Sequence, residues 1–342
     1  MEALVVGGTG LISTGITREL LARGDRVTVF NRGQTTFAGE GSIRQLTGDR
    51  TDLPAFEAVV GGAGSFDCII DMRCFTPAEA ESAVRAYRGR APQVIFCSTV
   101  DVYAKPAARY PVTEAEPRRQ GGAFTYAVNK VACEEILEAA HARGDFALTI
   151  IRPAHTYGEG GRVVHPLGFS TTFVDRLRKG QPVIVHGDGT SLWASCHRDD
   201  VARAFAAAAG NRATFGRAYH VTGEEWLTWN RYVEIIAEAA GGPPPAIVHI
   251  PTDLLRAVAP VRAFWCAENF SGNNIFDNSA ARADLGFRQT IPFLAGMRRT
   301  IAWLADHDQI ADSDDDPFDD RLIAAWRHLG AGMATELADL EG

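Results

Sequence analysis

The sequence predicts an α/β fold with a doubly wound parallel sheet and a smaller mixed C-terminal domain. Apolar runs of strand length alternate with helical stretches along the first half of the chain. The strand-like runs are 3–6, 25–30, 42–46, 66–71, 94–98 and 146–151, and helical patterns lie over 77–87 and 123–142. Such alternation is typical of parallel sheets with helices on both faces. Glycines follow the first strand and polar residues follow several others, so we expect ligands beyond the carboxyl ends of the strands.

Composition limits the classes of protein. With 342 residues, of which 46% are hydrophobic, the chain can bury a large core and form more than one domain. The net charge of -8 argues against a nucleic-acid surface, which needs clustered positive charge. Six cysteines without a C-x-x-C pair indicate reduced thiols rather than disulfides or a metal site. Because the chain opens on a strand rather than a signal sequence and has no membrane-length apolar run, we expect a soluble cytoplasmic protein.

The spacing Gly7-x-x-Gly10-x-x-Ser13 lies between the first strand and a helical pattern. Gly7 can adopt a backbone conformation that side chains forbid, and Gly10 lets a pyrophosphate approach the main chain. The N–H groups that open the helix, at Leu11 and Ile12, would then face the phosphates. Serine at the third glycine position is small enough for close packing. In this context the spacing predicts dinucleotide binding, and a simple tight turn is the alternative.

These elements suggest how the chain divides into domains. A dinucleotide-binding Rossmann domain is predicted over 1–165, completed by about 196–221. A substrate-binding domain would comprise 166–195 and 222–306. Residues 307–342 are predicted to form an acidic linker and a C-terminal helix. The density of like charges in 312–320 favours an extended, solvated linker.

The end of the second strand bears on the choice of cofactor. An acidic side chain there would bind the ribose hydroxyls of NAD, but the chain has Asn31 and Arg32. Arg32 could pair with the 2′-phosphate of NADP, and Asn31 could hydrogen-bond either cofactor. We therefore expect NAD(P), with a lean toward NADP unless Arg32 is a solvated loop cation. Asp49 could accept a hydrogen bond from the adenine amino group. The full set predicted to bind the cofactor is Gly7, Gly10, Leu11, Ile12, Asn31, Arg32, Asp49, Arg50, Met72, Ser98, Tyr126, Lys130 and Pro153.

Tyr126 and Lys130 are four residues apart and therefore share one face of a predicted helix. A positive charge beside a phenol favours the phenolate, so we expect Lys130 to lower the pKa of Tyr126. Tyr126 could then exchange a proton with a substrate hydroxyl, which Thr99 would hold through its own O–H. The spacing alone is weak evidence. Combined with the glycine turn and the Ser98–Thr99 strand end, it predicts hydride transfer to or from a nicotinamide.

The chain resembles the extended short-chain dehydrogenase/reductases, the NAD-dependent epimerase/dehydratase group, over residues 2–306. The resemblance is carried by segments 7–12, 98–103, 152–158 and 199–202, together with Tyr126 and Lys130. It implies a Rossmann domain that holds the cofactor, a smaller C-terminal domain that closes over substrate, and a catalytic set of Thr99, Tyr126 and Lys130. The opening turn, with segments 30–33 and 71–72, also resembles the branch that contains the chloroplast stem-loop-binding proteins.

Three positions depart from the family pattern. In sugar-nucleotide 4,6-dehydratases two acids follow the catalytic threonine, whereas this chain has Val100 and Asp101, which disfavours that elimination. Asp101 could still act as a second acid or base, or be an exposed turn carboxylate. His155 replaces a frequent asparagine and could bind substrate or be a satisfied loop histidine. Trp193 replaces an arginine that meets the nucleotide diphosphate; it could stack on a base or a ring but cannot pair with phosphate.

Taken together, these features favour an NAD(P)-dependent epimerase of a nucleotide-linked or otherwise activated sugar, acting through a keto intermediate. Two alternatives stay open. One is an NADPH-dependent carbonyl reductase or dehydrogenase of the same fold, which Arg32 favours. The other is a dinucleotide-regulated RNA-binding protein without turnover. The expected partners are a small sugar-like substrate and a second copy of the chain, with no membrane and no nucleic acid.

Overall fold

The computed structural model describes residues 1–34, 37 and 41–340. Its strands are β1 (Glu2–Val6), β2 (Arg26–Asn31), β3 (Arg44–Thr47), β4 (Cys68–Asp71), β5 (Gln93–Cys97), β6 (Ala147–Pro153), β7 (His155–Tyr157), β8 (Val164–His165), β9 (Gly168–Phe169), β10 (Val183–His186), β11 (Leu192–His197), β12 (Arg217–Val221), β13 (Trp226–Thr228) and β14 (Ile247–Ile250). Its helices are α1 (Leu11–Ala22), α2 (Leu53–Gly62), α3 (Pro77–Tyr87), α4 (Thr125–Ala142), α5 (Thr172–Arg178), α6 (Arg198–Ala208), α7 (Trp229–Ala240), α8 (Thr252–Val258), α9 (Ser279–Leu285), α10 (Phe293–Asp306) and α11 (Phe318–Leu337). Short 3-10 turns lie at Val100–Val102, Arg212–Thr214 and Ser313–Asp315, and a π-helical segment at Cys266–Phe270.

Seven of the described strands form one parallel sheet in the order β12-β6-β5-β4-β1-β2-β3. The direction in which the strands are added reverses between β1 and β4. In doubly wound sheets such a reversal opens a crevice at the carboxyl ends, where ligands bind. The predicted fold class is confirmed.

The pattern of β1 shows why the sheet is covered on both faces. Ala3 and Val5 belong to one hydrophobic cluster, while Leu4 and Val6 belong to the other. All four are fully buried. Side chains alternate across a strand, so an uninterrupted apolar run requires a layer of helices on each side.

The two helical layers come from different parts of the chain. The first cluster joins the sheet to α1, α6 and α9. The second joins it to α2, α3 and α4. α3 begins at a capping box, in which Thr76 accepts from the Glu79 N–H and the Glu79 carboxylate accepts from the Thr76 N–H.

The chain divides into two compact units. The first comprises residues 1–158, 194–225 and 275–291, and the second comprises 159–193, 226–274 and 292–342. The division suggested by the sequence differs at 275–291, which belong here to the sheet-containing unit. The physical reason lies in long-range pairing that has no local signature. Phe276 forms a β-bridge with Val112, and the Asn278 side chain accepts from the Thr222 N–H and hydroxyl at 3.2 and 3.0 Å.

The second unit contains the acidic stretch 312–320, which is folded rather than extended. Arg176 binds Asp320 at 2.6 Å, Lys179 binds Asp312 at 2.6 Å, and Arg262 is paired with Asp316. These basic partners offset the mutual repulsion of the aspartates. As a result α11 begins at Phe318, four residues before Leu322, where the apolar pattern of the sequence predicts the start of the C-terminal helix.

No helix among the described residues is long and apolar enough to cross a membrane. The six cysteines all lie in the described part of the chain, and each is a free thiol.

Candidate functional site

The turn after β1 has the conformation that its glycines allow. Gly7 has φ +82°, in the left-handed region, and its N–H donates to Phe30 O at 2.8 Å. A Cβ at Gly8 would lie 2.7 Å from Val29 Cγ1, so no side chain fits there. The turn therefore brings bare backbone to the carboxyl edge of β1, beside the end of β2.

Ser13 does more than fill the third glycine position. It is 1% exposed, its hydroxyl donates to Gly7 O at 2.5 Å, and its oxygen accepts from the Gly10 N–H at 2.8 Å. The serine thus holds the turn closed and occupies the Gly10 N–H. The close packing assigned from the sequence to Ser13 is found two residues later, at Gly15, where a Cβ would lie 2.7 Å from Ala202 Cβ.

A cleft of about 220 Å³ opens at the carboxyl ends of β1, β2, β3 and β4. Its lining includes six of the residues predicted to bind the cofactor: Gly7, Gly10, Asn31, Arg32, Asp49 and Arg50. It also includes Thr9, Gln34 and Arg73, which sequence reasoning missed. Arg73 has a signal of the same kind as Arg32, since it is a cation just after a buried strand. Leu11, Ile12, Met72, Ser98, Tyr126, Lys130 and Pro153 are not among the residues that line this cleft.

Two residues of the cleft are bound locally within the protein. The Asn31 side chain accepts from the Gly33 N–H at 2.8 Å and donates to Thr9 Oγ1 at 3.3 Å. Asp49 accepts from the N–H and hydroxyl of Thr51 at 2.9 and 2.8 Å. These bonds, and then the charges of nearby arginines, hold the pKa of Asp49 below its usual range. Asp49 is therefore a carboxylate at neutral pH, and it is exposed to the cleft.

Arg50 is far more buried than a cofactor ligand in a surface loop would be. It is 4% exposed, donates to Glu79 O at 2.6 Å and lies 3.9 Å over the Phe56 ring. Asp71 is 4.0 Å away. Among the described residues, its Nε and Nη1 atoms have no hydrogen-bond partner. Arg50 thus anchors the loop after β3 beneath the cleft.

The predicted catalytic residues lie just after β5, in the 3-10 turn that follows it, and on α4. Thr99 is 7% exposed, and its side-chain oxygen caps the 3-10 turn by accepting from the Asp101 N–H at 3.1 Å. Tyr126 is in the first turn of α4, and 37% of its surface is exposed. Lys130 is 1% exposed, one turn further along. Its ammonium donates to Cys74 O at 2.8 Å and Cys97 O at 2.7 Å, which ties α4 to the ends of β4 and β5.

The structure does not show the predicted lowering of the Tyr126 pKa by Lys130. The pKa of the Tyr126 phenol lies above its ordinary value, first because the surrounding protein displaces water and then because of the negative charge of Asp101. The Thr99 hydroxyl opposes this shift. Lys130 directs its ammonium to two backbone carbonyls instead. The Tyr126 phenol, like a tyrosine with the ordinary pKa of about 10, is protonated at neutral pH and so has a proton to donate.

Asp101 lies beside a second lysine that the sequence did not single out. Lys105 Nζ is 3.7 Å from Asp101 Oδ1, and the side chains are 11% and 15% exposed. Burial lowers the pKa of Lys105 to about 8, against the opposing effect of Asp101. Asp101 is thus half-buried and ion-paired rather than a solvated turn carboxylate.

A buried ionic network holds α4 against the sheet. Glu134 is fully buried and accepts from Arg152 Nε and Nη2 at 2.8 and 2.7 Å, and from Arg118 Nη1 at 2.8 Å. Arg152 also donates to the Tyr103 hydroxyl at 2.6 Å, which bonds His220 Nε2 at 2.7 Å. Sequence reasoning missed this network, because its members come from five separate segments. It fixes the helix that carries Tyr126 and Lys130.

His155 and Trp193, which with Thr99 are predicted to meet substrate, both contact other side chains of the protein. His155 Nδ1 is 2.9 Å from Ser195 Oγ, and burial lowers the pKa of His155 to about 3, so the ring is neutral. Trp193 is 5% exposed and packs against Trp229 and Phe270, with ring centroids 5.1 and 4.8 Å away. Stacking of Trp193 on a ligand ring stays a prediction. Its indole packs against aromatic core residues and leaves little surface for a base.

The fold and the cleft together define a Rossmann-type dinucleotide site. Its glycine turn brings the backbone of Gly7 and Gly10 to the cleft, and it lies at the point where the strand order reverses. The model of the NAD dependent epimerase/dehydratase family matches residues 3–222. The chain belongs to that family.

Individual relatives have different activities. The chain is 29% identical to 2'-dehydrokanamycin reductase of Streptomyces kanamyceticus, over 71% of this chain and 68% of that protein. It is 28% identical to chloroplast stem-loop binding protein of 41 kDa b of Arabidopsis thaliana, over 72% of this chain but 65% of that protein, just under two thirds of its length. An epimerase structure from Methanothermobacter thermautotrophicus has the same fold, with a TM-score of 0.73 and 18% identity over 90% of this chain and 93% of that one.

Proposed function

We propose that this protein is an NADPH-dependent reductase of a carbonyl group on a small, sugar-like substrate. The observation that carries the proposal is the end of β2, where Asn31 and Arg32 replace the acid expected in an NAD site. Both residues line the cleft. The reductase relative is consistent with this direction of reaction, although identity of 29% leaves the substrate open.

Several residues would hold the dinucleotide. Gly7 and Gly10 would present backbone to it in the cleft, and Arg32 would meet the adenosine ribose. Lys130 would lie toward the nicotinamide end, on the same helix face as Tyr126. The reduced nicotinamide supplies the hydride.

The residues of the chain would supply the proton. A carbonyl that accepts hydride must gain a proton on its oxygen. Tyr126 is the donor in this proposal, because its phenol is protonated at neutral pH and interacts with the Thr99 hydroxyl. Thr99 would hold the same substrate oxygen through its hydroxyl, whose oxygen is already fixed by the Asp101 N–H.

The test is a panel of keto sugars, free and nucleotide-linked, assayed by NADPH absorbance and product analysis. We expect one NADPH oxidised for each carbonyl reduced. Tyr126→Phe should lower kcat by about 100-fold or more while leaving cofactor affinity unchanged. Tyr110→Phe, a control on a loop tyrosine whose hydroxyl accepts from Ala107 N–H, should keep activity. Turnover that survives Tyr126→Phe would refute the assignment of Tyr126.

An epimerase of an activated sugar is the second candidate. The specific observation in its favour is Val100, which removes one acid that the related 4,6-dehydratases carry and leaves the Thr99, Tyr126 and Lys130 set intact. Interconversion of epimers such as UDP-glucose and UDP-galactose without net change in NAD(P)H would support it over reduction. Salt-dependent binding of stem-loop RNA that is insensitive to Tyr126→Phe would instead favour a role without turnover.

A further inference from the structure

Arg73 follows β4 and lies across the glycine turn of β1. A Cβ placed on Gly7 would be 2.2 Å from Arg73 Cγ and 3.1 Å from Cδ, so the stem of the arginine occupies the space that glycine leaves. The guanidinium carbon lies 5.1 Å from the centre of the Phe75 ring. Because β4 and β2 flank β1, Arg73 approaches the cleft from the side opposite Arg32.

Arg32, Asp49 and Arg73 line the same cleft. After the hydrogen bonds from Thr51, the positive charges of both arginines contribute to the lowered pKa of Asp49. Because the lining holds arginines from two strand ends against this one carboxylate, it favours a ligand that carries negative charge.

The lining of the cleft has an excess of positive charge, with Arg32, Arg50 and Arg73 against Asp49. Arg50 is 4% exposed, and its guanidinium contacts Glu79 O and the Phe56 ring. Arg32 and Arg73 are exposed and are therefore the cations of the lining that a ligand can reach.

We propose that Arg73, together with Arg32, binds the 2′-phosphate of NADP(H) and sets the preference for the phosphorylated cofactor. The inference rests on the proposed function, which requires NADPH. A phosphate dianion accepts paired hydrogen bonds from planar guanidinium groups, whereas the free ribose hydroxyls of NAD bring no charge to offset the two cations. Gly7 has a second role in this view, since a side chain there would block the path of Arg73.

The test measures dissociation constants by calorimetry for NADP⁺ and NAD⁺, and for the fragments 2′,5′-ADP and 5′-AMP. Arg73→Leu should weaken NADP⁺ and 2′,5′-ADP by about 10-fold to 100-fold, and NAD⁺ and 5′-AMP by less than about 2-fold. The dissociation constants of Arg73→Lys for NADP⁺ and 2′,5′-ADP should fall between those of the parent and Arg73→Leu, because a lysine keeps the charge but loses the paired geometry. Arg26→Leu is the matched control, because Arg26 is exposed at the opposite end of β2. It should leave all four dissociation constants unchanged.

The outcomes separate this inference from the proposed function. Equal weakening of NADP⁺ and NAD⁺ in Arg73→Leu would place the arginine at a group that both cofactors share and overturn the inference. Unchanged binding of all four ligands would also overturn it. If the parent protein prefers NADP⁺ and Arg32→Leu alone removes the preference, the proposed function stands while the role of Arg73 fails. A parent protein that binds NAD⁺ more tightly would remove the support for both.

Discussion

Glu134→Gln tests whether the buried ionic network fixes the helix that carries Tyr126. Glu134 is fully buried, and three hydrogen bonds of 2.7–2.8 Å bind it to Arg152 and Arg118. Glutamine keeps the volume and one acceptor but removes the charge. Arg152, 3% exposed, would then be a buried cation without its counter-charge.

The expected loss is large because the remaining arginine stays buried. Breaking a buried pair by removing one partner costs about 3–5 kcal/mol. Glu138→Gln is the matched control, because Glu138 lies one turn after Glu134 on α4 and also binds Arg118. The Glu138 side chain is 43% exposed and binds Arg118 at 3.0 Å, so its loss should cost about 0–1 kcal/mol.

Urea unfolding followed by circular dichroism measures both variants. At pH 7 the free energies of unfolding should differ by about 3 kcal/mol. The Arg152 hydrogen bonds hold the pKa of Glu134 below its usual 4.5, despite burial that acts to raise it. A carboxyl with a lowered folded pKa stabilises fully above the unfolded value, so the deficit of Glu134→Gln should shrink as the pH falls below 4.5. Variants that differ by less than about 1 kcal/mol at pH 7 would refute the reasoning.

Two further predictions concern packing and pH. Gly15→Ala should destabilise the protein by about 1–3 kcal/mol, because its Cβ would meet Ala202. Gly62→Ala, with no atom within 4 Å of the new Cβ, should be neutral or stabilising. Thermal unfolding compares the two variants, and equal midpoints would contradict the close approach at Gly15. Between pH 8 and 10.5 the unfolded chain binds more protons at Lys105 than the folded chain does. The free energy of unfolding of the parent should therefore rise with pH relative to that of Lys105→Met, by about 3 kcal/mol over this range. Parallel curves of unfolding free energy against pH would show that Lys105 is not desolvated beside Asp101.

Local patterns made most of the first unit predictable. The bounds of α3 coincide with the sequence prediction, because Thr76, Pro77 and Glu79 mark its start with a capping box and a proline. The strands of the sheet were recognisable because both of their faces are apolar. The glycine turn and the polar strand ends then located the cleft.

Contacts between distant segments were beyond the reach of such patterns. Arg73 follows a buried strand as Arg32 does, but its contact with Gly7, 66 positions away, has no signal in the sequence. The enclosure of Trp193 by Trp229 and Phe270 was not predictable either, since motif position says nothing about which aromatic rings surround a side chain. The acidic stretch 312–320 carried a pattern typical of an extended segment, and only the basic partners of Asp312, Asp316 and Asp320 show why it folds.

Transfer of deuterium from [4-²H₂]NADPH to substrate tests the central claim most directly. With a carbonyl substrate found in the panel, each product molecule should carry one deuterium at the new carbinol carbon for each NADPH oxidised. Tyr126→Phe, with cofactor bound, should form labelled product at least about 100-fold more slowly. Unlabelled product, or label transfer that is as fast in Tyr126→Phe as in the parent, would contradict the account.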